Sequence, residues 1–324
     1  MSAPIVEDGR VKLSERLTVS FQRTLRIPDD GRPYPLPPSL GPFPLHRVED
    51  YADRVPEAWR REGGVFLPLY QREALWLGFD GAAWKPNAVK VGVGEIDALS
   101  GEPWDEHLRA SPQDYLVCPD QPWLDGINAG DGVVRQFVAM PLGLGYTVEA
   151  QLRGAEDFGG MRLAVWEPKP GRFPDRPPES TGPAEPRPQA TARGPAMGVA
   201  AGGRITQRIY PDRHGADTWE PVPAARLRVH LLNSEQYTEV TGRAAPPTPV
   251  SARAYTERGF PWFALYDEAK GTIATAEKLT RVRSVGVIDA ARNLAGVDDA
   301  PVDVETSQIR VVDPGRKEAK ESRE

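Results

Sequence analysis

The sequence Ala88-Val-Lys-Val-Gly-Val-Gly-Glu-Ile-Asp97 and, further along, Val133-Val-Arg-Gln-Phe-Val-Ala-Met140 decide the fold class. Both runs mix β-branched and apolar residues with polar ones. Two more runs, Thr147-Val-Glu-Ala-Gln-Leu-Arg153 and Gly160-Met-Arg-Leu-Ala-Val-Trp166, alternate more strictly between apolar and polar residues. A period of two is typical of half-buried strands, because successive side chains point to opposite faces. Residues 65–168 therefore predict a β-sheet joined by tight turns.

Strands are also predicted on either side of this region. Residues 17–27 and 226–233 alternate in the same way, and 204–210 show a shorter alternation. Thirty-four prolines and 31 glycines are too many for a helical bundle and indicate many turns. We therefore predict an α+β, predominantly β fold. It is either an antiparallel β-sandwich or two packed antiparallel sheets with a few short helices.

Helices are predicted at 48–61, where Pro56 interrupts the pattern, and in the last third of the chain. Thr248, Pro249 and Gly259 supply the cap, first-turn and stop signals of a helix at 249–258. Residues 278–293 are predicted as a final helix, or the valine-rich part 281–288 as a strand.

Composition divides the chain into five parts. After a lead at 1–16 comes a β-rich part at 17–167, and a second β-rich part follows at 197–312. Between them, 168–196 is rich in proline, glycine and arginine and poor in large apolar residues, which predicts a flexible loop or linker. The charged tail at 313–324 is expected to be disordered. The two β-rich parts are either two subdomains or one sandwich with a long insertion.

Charge and cysteine content restrict the partners and the compartment. The net charge is −6 over 324 residues, with both signs interspersed, which argues against nucleic-acid binding. A single cysteine, Cys118, excludes an intrachain disulfide. No apolar run approaches the roughly 20 residues that a membrane-spanning helix needs, and the first residues do not resemble a signal peptide. We expect a soluble protein of the cytoplasm.

Carboxylates near aromatic residues are the best catalytic candidates. Glu95 and Asp97 lie two apart on a predicted strand and so would share one face, and Asp125 lies two residues after Trp123. Carboxylates beside aromatic platforms are typical of carbohydrate-active enzymes. A hydrolase or carbohydrate-active protein is therefore the alternative function, although an exposed strand face with two acids is also common in proteins without catalysis.

A metal site has less support. Asp125, Asn128 and Asp131 offer three oxygen ligands of the kind that calcium accepts. Their spacing differs from that of an EF-hand, and Asn and Asp beside Gly are common in ordinary turns. The four histidines are scattered and suggest no zinc site. We expect neither a metal nor another cofactor.

Six stretches of the sequence are considered together: Phe21-Gln-Arg-Thr-Leu-Arg-Ile-Pro28, Pro86-Asn-Ala-Val-Lys-Val-Gly-Val-Gly94, Gln121-Pro-Trp-Leu-Asp-Gly-Ile127, Gln136-Phe-Val-Ala-Met-Pro-Leu-Gly-Leu-Gly-Tyr-Thr-Val-Glu149, Gly202-Gly-Arg-Ile-Thr-Gln207 and Pro261-Trp-Phe-Ala-Leu-Tyr-Asp-Glu268. They resemble a group of uncharacterised bacterial proteins. The resemblance implies a bacterial origin and brings no activity, cofactor or site residue with it.

Surface and assembly features favour binding over catalysis. The proline-rich segment 33–44 is extended by necessity and carries alternating apolar residues, so it either lies against the sheet as a strap or reaches a partner. The predicted ligand or interface residues are aromatic: Tyr34, Phe43, Trp123, Tyr146 and Trp262. We expect a non-enzymatic binding or self-assembling protein that forms a homo-oligomer or binds a protein partner.

Overall fold

The computed structural model describes residues 4–176, 196–265, 271–294 and 301–312. Sixteen strands form one large sheet and two form a small second sheet. The strands are β1 Ile5–Glu7, β2 Arg10–Lys12, β3 Leu17–Thr24, β4 Pro33–Tyr34, β5 His46–Arg47, β6 Val65–Leu69, β7 Ala74–Gly81, β8 Asn87–Val93, β9 Ile96–Asp97, β10 Leu116–Cys118, β11 Trp123–Leu124, β12 Gly126–Gly130, β13 Val133–Pro141, β14 Met161–Trp166, β15 Ala196–Thr206, β16 Ala225–Asn233, β17 Trp262–Leu265 and β18 Ile309–Val312. The described α-helices have four to seven residues each: α1 Glu57–Glu62, α2 Val148–Arg153, α3 Tyr237–Thr241, α4 Ala252–Glu257, α5 Glu277–Thr280 and α6 Val285–Ala291. The predicted α+β, predominantly β class is confirmed.

The large sheet is mainly antiparallel and draws on both β-rich parts of the sequence. Its main path runs β1-β2-β3-β7-β13-β15-β16-β14-β8-β10. The long strand β15 pairs with β13 over most of its length and with β16 at its first residues. Among the described residues, parallel pairs are formed by β4 with β15, β6 with β16, and β17 with β18 in the small sheet. Strands from 17–167 and from 197–312 are therefore hydrogen-bonded into one sheet.

One hydrophobic cluster joins the two ends of this path. It contains Phe21 and Leu77 from β3 and β7, and Val91, Leu163 and Val229 from β8, β14 and β16. All five side chains are buried. Because side chains alternate along a strand, the residues between them point to the opposite, outer face of the sheet. The candidate site lies on that outer face.

One predicted strand is a helix. Within the predicted strand 147–153, Val148–Arg153 form helix α2, which follows the N-cap Thr147 and ends at Gly154 in the left-handed conformation. The Thr147 hydroxyl accepts a hydrogen bond from the Ala150 backbone N–H. The prediction was wrong because seven residues of alternation also fit two helical turns, and the cap and stop residues favour the helix.

The other predicted segments shift rather than change type. Helix α4 is capped by Ser251, whose hydroxyl accepts from Ala254 N–H, so it begins later than the predicted residue 249. Residues 278–293 give two short helices, α5 and α6, rather than one. No helix in the described parts of the chain is long and apolar enough to cross a membrane.

The proline-rich segment 33–44 packs on its own chain as a strap. Leu36 forms a β-bridge with Phe263, and Pro42 forms one with Gln22 of β3. In the predicted linker, residues 168–176 continue from β14, and Pro168 bridges to Trp219. Residues 177–195 of that linker and the tail at 313–324 lie outside the described residues.

A buried ammonium group holds the long loop between β9 and β10 against the outer face. The Lys90 side chain on β8 is fully buried, and its Nζ lies 2.7 Å from Asp114 Oδ2 and 3.1 Å from Asp105 Oδ1. Nζ also donates to the His107 carbonyl at 2.8 Å. Since these acceptors span residues 105–114, this lysine anchors the loop that forms one wall of the candidate site.

Replacing Lys90 by Met is expected to lower the free energy of unfolding by about 3–5 kcal/mol, because it leaves buried Asp114 without its main countercharge. Urea denaturation measures this loss. Lys278→Met is the control, because its ion pair with Glu102 is about half exposed, and we expect it to cost less than about 1 kcal/mol. Equal losses in the two variants would contradict the role given to Lys90.

Candidate anion-binding cleft

Two arginines lie side by side on the outer face of the sheet. Arg162 of β14 is directly opposite Arg228 of β16, and on its other side it is opposite Gly92 of β8. Residues opposite each other in an antiparallel pair lie on the same face, with Cβ atoms about 4.5–5.5 Å apart. The next row of the same face contains Lys90, Ala164 and Arg226. Three arginines of this face, Arg162, Arg226 and Arg228, therefore surround a small alanine.

Arg162, Ala164, Arg226 and Arg228 form the floor of a cleft of about 480 Å³. Helix α1 and its following loop form one wall, and the loop after β9 forms the other. The lining includes five arginines and three glutamates: Pro4, Glu49, Arg60, Arg61, Glu62, Gly63, Gly64, Trp104, Glu106, Arg162, Leu163, Ala164, Arg226, Leu227 and Arg228. The volume lies within the usual range for small-molecule sites.

Two glycines allow the walls to approach the floor. A Cβ on Gly92 would lie 2.6 Å from the Trp104 ring, so this indole rests directly on the strand. A Cβ on Gly64 would lie 2.2 Å from the Arg228 carbonyl oxygen, and Gly64 has a φ of +92°. Any side chain at either position would push a wall away from the floor.

His230 holds the C-terminal end of helix α1 in place. Its imidazole stacks on Trp59 with ring centres 4.5 Å apart, and its Nε2 lies 2.9 Å from the Gly63 carbonyl oxygen. A carbonyl can only accept, so Nε2 carries the proton. Burial lowers the pKa of His230 to about 4, and the ring is therefore neutral above that pH. The charge of the cleft at neutral pH comes from arginine and glutamate alone.

Several N–H groups of the floor arginines Arg162 and Arg228 have no hydrogen-bond acceptor. Arg228 Nε donates to Glu62 Oε2 at 2.5 Å, and Arg162 Nη2 is ion-paired with Glu95. Arg162 Nε and both Arg228 Nη atoms are buried and have no hydrogen-bond partner among the described residues. The Arg228 Nη2 atom lies 3.7 Å from Glu95, which is too long for a hydrogen bond. Buried N–H donors without an acceptor are costly in a protein.

The pKa of Arg162 reflects its burial next to a second positive charge. Burial, and then the neighbouring Arg228 charge, lower the pKa of Arg162 to about 10. Phe158 packs over both guanidinium groups, with each central carbon 5.2 Å from its ring centre. On the walls, Arg226 forms two hydrogen bonds to Glu106. Arg60 and Arg61 are exposed and form no ion pair with another described residue. An anion in the cleft would meet cations on the floor and on the α1 wall.

The three predicted catalytic acids are not brought together. Glu95 lies in the turn between β8 and β9, whereas Asp97 lies within β9, so the two do not share a strand face. Asp97 accepts hydrogen bonds from Leu99 N, Ser100 N and Ser100 Oγ, and burial raises its pKa to about 7. Asp125 accepts from Gln207 Nε2 at 2.6 Å in a different part of the sheet. Only Glu95 contacts the floor of the cleft, through Arg162.

The three residues of the possible calcium loop, Asp125, Asn128 and Asp131, also lie in different environments. Asn128 donates to the Leu99 and Ala274 carbonyls and accepts from Gly130 N–H. Asp131 is exposed in the turn before β13 with a φ of +53°. Within the described residues, no group of three or more His, Cys, Asp or Glu side chains is placed to hold a metal ion.

The aromatic residues predicted at a ligand or interface lie mostly inside the chain's own fold. Tyr34, Phe43, Tyr146 and Trp262 are buried. The Tyr34 hydroxyl donates to Asp30, the Tyr146 hydroxyl donates to Asp289, and the Trp262 indole N–H donates to Thr256. Trp123 is half-buried and lines a second cavity. Whether any of them contacts a partner remains a prediction.

The arginine cleft was missed at the level of the sequence. Arg162 and Arg228 occupy polar positions of two correctly predicted strands, which is the only sequence signal. Their pairing depends on the strand order β8-β14-β16. Comparison of the chain with protein-family models, with curated proteins and with solved structures finds no match.

Proposed function

We propose that this protein is a non-enzymatic binding protein that holds a small organic anion, carrying a phosphate or carboxylate group, in the arginine cleft. One observation carries the proposal: two adjacent floor guanidiniums with buried N–H donors that lack acceptors. Arginine presents planar, paired donors that match the oxygens of phosphate and carboxylate groups. An anion bound over this row would offset the repulsion between Arg162 and Arg228.

Beyond the floor, the walls offer surfaces for the organic part of the ligand. Trp104 lies half-buried along one wall and provides an apolar, planar surface. Opposite it, Arg60 and Arg61 provide exposed positive charge. A ligand with an anionic group at the floor and a flat apolar part against Trp104 would use both surfaces.

The other expected functions remain predictions. Self-assembly, a protein partner and a bacterial cytoplasmic location are compatible with the fold but draw no support from a particular contact. The hydrolase alternative has the weaker support, because Glu95, Asp97 and Asp125 lie in three different hydrogen-bond environments.

Pyrophosphate is a suitable probe, and isothermal titration at low ionic strength measures its affinity. We expect saturable binding that weakens as salt is added. Arg162→Gln should weaken it at least about tenfold, because one charge-assisted hydrogen bond contributes about 1.5–3 kcal/mol. The double variant Arg60→Gln with Arg61→Gln tests the wall without disturbing a buried residue and should also weaken binding.

The control is Arg281→Gln, which removes an arginine that is 71% exposed and lies outside the cleft lining. Its affinity for pyrophosphate should equal that of the unmodified chain. Loss of affinity in this control equal to that in Arg162→Gln would show non-specific attraction and contradict the proposal. Absence of saturable binding would do the same.

A further inference from the structure

A second cavity lies on the outer face of the sheet at β7, away from the arginine cleft. Its volume is about 110 Å³. Trp76 of β7 and Trp123 of β11 form two of its sides, and Phe263 of β17 and the strap residue Pro37 contribute others. β11 pairs with β7, which brings the two indoles to the same region. Their ring centres lie 6.4 Å apart and their planes are inclined at 58°.

Inclined aromatic rings around a small cavity favour a cation. The face of an indole carries negative charge density, and tryptophan is the strongest aromatic partner of a positive charge. Two indoles meeting at an angle, with a phenyl ring nearby, surround a compact group on several sides. Cavities of this type bind quaternary ammonium groups in proteins.

A carboxyl group completes the lining. Asp125 is 2% exposed, lines the cavity and accepts a hydrogen bond from Gln207 Nε2 at 2.6 Å. No Arg, Lys or His forms an ion pair with Asp125 within the described ranges. A buried carboxylate without a cation is unfavourable, so this position is electrostatically suited to a cationic ligand.

One side chain of the cavity wall carries an unsatisfied donor. The Trp76 Nε1–H is buried and finds no acceptor in the part of the chain that the structure describes. Choline, whose hydroxyl lies two carbons from its ammonium nitrogen, would bring an oxygen to this wall.

We infer that this cavity binds the quaternary ammonium head group of a small molecule, between the Trp76 and Trp123 rings and beside the Asp125 carboxylate. A metal ion would need several oxygen ligands and would find one carboxylate among apolar walls. A primary ammonium would need acceptors for three N–H groups. A quaternary ammonium has no N–H to satisfy and presents methyl groups to the indoles.

Choline and its neutral isostere 3,3-dimethylbutan-1-ol, in which carbon replaces nitrogen, provide the test. The two molecules have the same shape and hydroxyl, so their difference isolates the charge. Titration followed by tryptophan fluorescence should show saturable choline binding, with the isostere at least about tenfold weaker. Equal affinities, or no saturable choline binding, would overturn the inference.

Variants locate the site. Trp123→Leu should weaken choline binding about tenfold, because it removes one of the two indole faces. Trp84→Leu is the matched control: Trp84 is half-buried outside the cavity lining and should leave the affinity unchanged. If Trp123→Leu fails to fold, Asp125→Asn serves instead, since its amide oxygen can still accept from Gln207. Unchanged choline affinity in a folded Trp123→Leu or Asp125→Asn variant would place the ligand elsewhere.

The affinity should also depend on pH. Burial raises the pKa of Asp125 to about 7, and no charged side chain of the described residues contributes to that shift. Because the carboxylate forms above this pKa, choline binding should strengthen about tenfold between about pH 6 and about pH 8. In Asp125→Asn the affinity should be the same at both pH values. A pH dependence retained in that variant would assign the titration to another group.

Discussion

The arginine cleft depends on the buried ammonium group of Lys90. It occupies an outer position of β8, where an exposed lysine would be ordinary, but it is covered by the loop that follows β9. Its two carboxylates and one carbonyl all belong to that loop. The same loop carries Trp104 and Glu106, which form a wall of the cleft. The buried ammonium group therefore holds an irregular segment in place as part of the site. The ion pairs that it forms must offset the cost of removing the charges from water.

Charge on the outer face is distributed unevenly. On the second row, Arg226 donates two hydrogen bonds to the Glu106 carboxylate, one to each oxygen. On the first row, Arg162 and Arg228 share Glu62 and Glu95 and still retain donors without acceptors. Like charges directly opposite in an antiparallel pair destabilise it. Stability alone does not explain why Arg162 and Arg228 are placed side by side. This pair of arginines, rather than the overall charge of the surface, therefore supports a binding function.

The sequence was sufficient for the fold class and for several strands but not for the sites. Alternation identified β14 and β16 and even placed Arg162 and Arg228 on their polar faces, because apolar residues must turn to the core. The alternation was misleading at residues 147–153. There the N-cap Thr147 and the terminating Gly154 favour a helix over the strand that a short alternation predicts. Aromatic content could not distinguish core residues such as Phe43 and Trp262 from surface ones, because burial is set by the tertiary fold. Strand register, which forms both cavities, depends on contacts between distant segments and leaves no local signal.

The strap at 33–44 has a consequence for the aromatic cavity. Leu36, Pro37 and Ser39 line that cavity, and the strap is held by bridges to β3 on one side and to Phe263 on the other. The cavity exists in full only in molecules whose strap is docked. Apparent affinity for any occupant is therefore the intrinsic affinity multiplied by the docked fraction. A substitution that loosens the strap, even one far from the rings, would act on ligand binding as a conformational equilibrium rather than as a lost contact.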